Sequence, residues 1–84
     1  MENNRIAVIS IIVEKTENAS KVNKALHEYS DFIIGRMGIP YREENINIIS
    51  IVLNAPIDKI NSLTGKIGML EGVFAKALYA DRKR

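Results

Sequence analysis

The sequence predicts an α+β domain whose elements run strand, helix, strand, strand, helix, strand. Three observations carry that prediction. Residues 6–13 and 46–53 are nearly unbroken runs of β-branched side chains, too short for buried helices and rich in strand formers. Residues 19–29 and 57–67 instead repeat their apolar side chains at helical spacing. Glycine, proline and charged residues gather between these segments, where the chain must turn.

Each element has its own warrant. The first strand reads Ile6-Ala7-Val8-Ile9-Ser10-Ile11-Ile12-Val13. Asn18 then offers an N-cap, and Ala19, Val22, Ala25, Leu26 and Tyr29 share one face of a helix of about three turns. Lys21, Lys24 and Glu28 lie opposite. A second strand is expected over residues 32–39, ended by Pro40. Gly35 and Gly38 inside it point to a bulge, an edge, or the close approach of another group. Residues 41–45 form a charged turn, and residues 46–53 make the third strand. Pro56 suits the first position of the second helix and Asp58 the positive end of its dipole. Ile57, Ile60, Leu63 and Ile67 face inward there, Lys66 occupies the last turn, and Gly68 is placed as a left-handed stop. Glu71-Gly72 turns the chain into a last strand over residues 73–80.

Two split βαβ units with right-handed crossovers close into an antiparallel four-stranded sheet in the order 4-1-3-2, with both helices on one face. This is a ferredoxin-like βαββαβ arrangement. The first and third strands are the most continuously apolar and belong at the centre; the second and fourth carry Arg36, Lys76 and the glycines and belong at the edges. The whole of residues 1–84 reads as one domain with a short basic tail at 81–84.

Composition excludes several classes. The 84-residue chain has no Cys, which removes disulfides, thiolate metal sites and thiol catalysis. No run approaches the roughly 20 apolar residues of a membrane span, and the acidic start at Glu2 is unlike a signal peptide. A cytoplasmic protein without membrane contact is expected. Twelve basic residues face ten acidic ones, but three of the twelve are Arg82, Lys83 and Arg84. The remaining nine against ten leave the body near neutrality, with no basic stripe for nucleic acid.

The sheet face away from the helices is the unusual feature. Alternation should make it polar. It is expected instead to carry Ile6, Val8, Ile12, Phe32, Ile34, Ile46, Ile48, Val52, Phe74 and Leu78, interrupted only by Ser10, Arg36, Ser50 and Lys76; Met37 falls on the helix side. So large an apolar patch calls for a covering partner. A homo-oligomer, dimer or tetramer, is expected, with Val8, Ser10, Phe32, Ile34, Ile48, Ser50 and Phe74 in the contact.

Catalytic and metal chemistry find few residues. His27 is the only histidine and lies on the polar side of its helix, so no metal ligand set is expected, and no cofactor. Ser10 and Ser50 have no oriented base, and Glu43-Glu44 sit in a solvated turn. Thr64-Gly65-Lys66 lacks the first glycine of a phosphate loop, since Ile60 stands in its place. Gly35-Arg36-Met37-Gly38 is the candidate ligand site: glycines permit close backbone approach, and Arg36 can hold an anion. Its competing reading is a bulge that shapes the sheet while Arg36 pairs across an interface.

Ile34-Gly35-Arg36-Met37-Gly38-Ile39-Pro40-Tyr41, Ile46-Asn47-Ile48-Ile49-Ser50 and Leu63-Thr64-Gly65-Lys66-Ile67-Gly68 together resemble the regulators of the iron-only hydrogenase system, small relatives of ACT-like domains and of the C-terminal domain of the nickel-responsive repressor. The likeness runs from about Arg5 to Ala80. It implies an ACT-like fold, oligomerisation and a regulatory, non-enzymatic role with a small-molecule effector or a hydrogenase-system protein as partner. The chain lacks the repressor's DNA-binding segment and its His-and-Cys ligands, so nickel sensing does not carry over. The alternative is a structural assembly factor in metalloenzyme maturation with no ligand.

Overall fold

Buried β-branched runs and amphipathic helices sort as expected in a computed structural model of the chain, which describes residues 4–80. The tail at 81–84 lies outside the described residues. The elements are β1 (Asn4–Val13), α1 (Ala19–Glu28), β2 (Ile33–Tyr41), β3 (Ile46–Pro56), α2 (Ile57–Gly68) and β4 (Val73–Tyr79), with short 3-10 turns at Thr16–Asn18 and Ser30–Phe32. The sheet is antiparallel in the order β2-β3-β1-β4, the predicted order read from the other edge.

One layer of core lies between sheet and helices. Ala7, Ile9, Ile11 and Val13 of β1 and Ile49, Ile51, Leu53 and Ala55 of β3 are buried against Val22, Ala25 and Leu26 of α1 and Ile60, Leu63 and Ile67 of α2. Helical spacing on one side meets period-two alternation on the other. Ile57, expected to face inward, is exposed because it opens α2 ahead of the first buried turn.

The turn before β4 is stitched to the start of α1. Gly72 carbonyl oxygen accepts from the backbone N–H of Glu14 at 2.7 Å and of Lys15 at 3.3 Å. Asn18 stands at the N-cap position, but its side chain does not cap; its Nδ2 donates to the Glu71 carbonyl at 2.6 Å. Gly68 is not a left-handed stop. Met69 continues in right-handed geometry, and the reversal falls at Gly72, with φ of 72°. A Cβ there would collide with Lys15 Cγ and Cβ, so glycine is favoured twice over, by conformation and by space.

The second strand is where the sequence expectation slips. Register against β3 shifts by one between Ile33↔Leu53 and Gly35↔Val52, so Ile34 is an extra residue in a bulge. From there on β2 is inverted relative to simple alternation. Arg36 pairs with Ile51 and therefore faces the helices, whereas Met37 pairs with Ser50 and faces away. Both had been expected on the opposite sides. Phe32 also departs from expectation. It belongs to the turn ahead of β2, where it packs against the core 6.5 Å from the ring of Tyr29, and is not on the open face. Pro40 does not end β2 but pairs with Asn47 inside it, which an edge strand tolerates because one side needs no donor.

Candidate functional site

Strand register arranges the uncovered face into rows running across the sheet. One row is Ile39, Ile48, Ile12 and Phe74; another is Val52, Val8 and Leu78, with Ile34 and Gly35 at its β2 end. Between them runs a third row, Met37, Ser50, Ser10 and Lys76. Two apolar stripes thus flank a narrow band holding the paired serines, with the one cation at the β4 edge.

The exposure is real on both apolar rows. Leu78 is 73% exposed, Ile34 63% and Phe74 57%, and Met37 at the end of the serine row is 59% exposed. Ile12 and Ile48 in the middle are exposed as well. Covering such side chains stabilises by about 25 cal/mol per Å² of apolar area removed from water. Of the residues expected in a contact, Val8, Ser10, Ile34, Ile48, Ser50 and Phe74 lie on this face; Phe32 does not.

The residues of the expected ligand site are divided. Gly35 and Met37 face the open side, while Arg36 and Gly38 face the helix side. Arg36 Nη2 donates to Asn23 Oδ1 on α1 at 2.7 Å, a partner that sequence spacing gave no sign of. The rest of its guanidinium edge stays accessible, since Arg36 is exposed. A Cβ built on Gly35 or Gly38 meets nothing within 4 Å, so this chain's own packing does not require glycine at either position.

The polar chemistry elsewhere is exposed. Tyr41 hydroxyl donates to Glu43 at 2.8 Å at the hairpin tip, and that bond raises the phenol above its ordinary pKa. His27 is exposed on α1. Thr64 hydroxyl bonds back to the Ile60 carbonyl within α2, which leaves the Thr64-Gly65-Lys66 segment as ordinary helix. Among the described residues no three His, Cys, Asp or Glu side chains converge. No described helix is long and apolar enough to cross a membrane.

Comparison with known proteins follows the same outline. The TM1266-like family model, described as iron-only hydrogenase system regulator, matches residues 5–77. The solved structure of TM1266 from Thermotoga maritima is 40% identical, with 93% of this chain and 99% of that one covered and a TM-score of 0.88. A formyltetrahydrofolate deformylase from Pseudomonas putida KT2440 shares the fold at 10% identity and a TM-score of 0.63, over 87% of this chain but 28% of that one. CPII from Thiomonas intermedia K12, a nitrogen regulatory PII-like protein bound to ADP, AMP and bicarbonate, is 16% identical with a TM-score of 0.52, over 92% and 96% of the two chains. The last two likenesses concern the fold alone. No curated protein matches the sequence.

Proposed function

This chain belongs to the TM1266-like family, iron-only hydrogenase system regulator, and on that premise we propose that it is a cytoplasmic, non-enzymatic regulatory module. It works as a homo-oligomer assembled through its open sheet face and responds to a small effector or a hydrogenase-system protein. The observation that carries this reading is the pair of apolar rows on the side of the sheet that no helix covers. A second copy is the fitting cover for them. Related by a two-fold axis through the serine row, each apolar row would meet the other copy's, with Ser10 and Ser50 apposed at the centre and Lys76 left at the rim. The small core gains most from such burial. The effector arm draws support from the exposed Arg36 guanidinium beside space-giving Gly38, and by analogy from the anionic ligands named for the PII-like protein.

Size-exclusion chromatography with light scattering tests the assembly directly. A dimer or larger species is expected at micromolar concentration. Ile48→Glu, which places a carboxylate in the middle of the face, should weaken assembly by roughly 3 kcal/mol through unpaired-charge burial. A wild-type chain that runs as a 9.4 kDa monomer overturns the reading. An oligomer that tolerates Ile48→Glu moves the contact to an edge strand.

A further inference from the structure

The helix layer carries a second concave surface, on the far side of the molecule from the open face. A groove of about 260 Å³ runs between α1 and the end of α2, lined by Lys21, Lys24, Ala25, Glu28, Lys66 and Leu70. Ala25, a small and buried side chain, is part of its lining. Ala25 and Leu70 make an apolar floor, and the charged side chains stand around it.

The charges are unevenly satisfied. Lys66 Nζ lies 2.5 Å from Glu28 Oε1, and this hydrogen bond holds the Glu28 carboxyl below its ordinary range and raises Lys66 above its own. That pair cancels. Lys21 and Lys24 make no ion pair at contact distance among the described residues, although Lys24 stands near enough to Glu28 to help lower its carboxyl. Like charges on neighbouring helix positions repel mildly, and Glu28 offsets only part of the positive charge around the groove. A bound anion would offset the rest.

From this arrangement we infer that the α1–α2 groove is a binding site for a small phosphomonoester with an apolar body. The dianionic head sits between Lys21 and Lys24, and its two negative charges match the excess of the three lysines over the single Glu28 in the lining. The body of the ligand lies on Ala25 and Leu70. The volume falls below the roughly 300 Å³ at which pockets for drug-sized ligands begin, which favours a small ester over a dinucleotide. The site is independent of the proposed assembly, because none of its residues lies on the open sheet face.

Phenyl phosphate is a suitable probe, titrated into isotope-labelled protein at about pH 8, where the ester is fully dianionic. Amide shifts are expected at residues 21–28 and 66–70. Inorganic phosphate, which lacks the body, and phenol, which lacks the charge, should each bind at least about tenfold more weakly. Lys21→Gln with Lys24→Gln should weaken phenyl phosphate by about tenfold, with circular dichroism unchanged, and Lys59→Gln should leave it unaffected. The inference is overturned by shifts centred on Arg36 or on the open face, by full affinity in the double variant, by equal binding of inorganic phosphate, or by no binding at millimolar concentration. Oligomer size, read on the same samples, reports separately on the sheet face.

Discussion

The two faces of the sheet are made from the same kinds of residue and end in opposite environments. On β1, Ile9 and Ile11 are wholly buried beneath the helices, while Ile12, one position along, is 41% exposed. On β3, Ile51 is wholly buried and Ile48 is 40% exposed. In an ordinary two-layer domain the second of each pair would be polar. Their apolar character is what the proposed assembly accounts for, since side-chain type follows the final environment and not the isolated fold.

A direct way to break this comparison is to truncate one residue on each face. Ile51→Ala removes three fully buried carbons and should destabilise by about 4 kcal/mol. Ile48→Ala, measured at concentrations low enough to separate copies, should cost about 1 kcal/mol or less. Urea unfolding of both variants reads the difference. Equal losses would mean that the open face is already packed within one chain.

Why the sequence showed both faces but misplaced part of β2 has a local cause. Alternation needs only residue order, so the central strands β1 and β3 were legible, as were the helix faces and the sheet order. A bulge adds one residue without any marker in composition. The extra residue at Ile34 inverts every later side chain of β2, and so Arg36 and Met37 exchange sides. The flanking glycines hinted at irregularity but could not fix its position. Gly68 and Gly72 show the same limit. Both can end a helix, and only the crowding of Lys15 against Gly72 decides which one reverses the chain. The groove lysines were visible as the polar side of α1, yet their meeting with Lys66 depends on how α2 crosses, which no local pattern encodes.

Arg36 tests the inverted strand at smaller amplitude. Because it points to α1 and bonds Asn23, Arg36→Ala should lower stability by under about 1 kcal/mol and leave oligomer size unchanged. Weakened binding of an effector in the same variant would support the ligand role. Loss of assembly would put Arg36 on the contact face and contradict the register that separates it from Met37.

The smallest effect is expected farthest from the open face, at the Glu28–Lys66 pair, whose side chains are 44% and 53% exposed. Exposed pairs are screened by solvent and contribute little. The direction with pH nevertheless follows from linkage. Glu28 is held below its ordinary value near 4.5 by the hydrogen bond from Lys66, so its contribution is present above that value and is lost as pH falls through the lower folded pKa. Lys66 is raised above its ordinary value near 10.5 by the same bond, so its contribution is complete below that value and is lost as pH rises through the higher folded one. The pair should therefore give a shallow plateau of added stability between these limits. In melts of wild type and Lys66→Met, a small difference is expected at neutral pH, closing in acid once Glu28 is protonated. Oligomer size should stay constant wherever only this pair titrates. A change in assembly that tracks Glu28 would couple the helix layer to the open face, and the two sides of the sheet would no longer act separately.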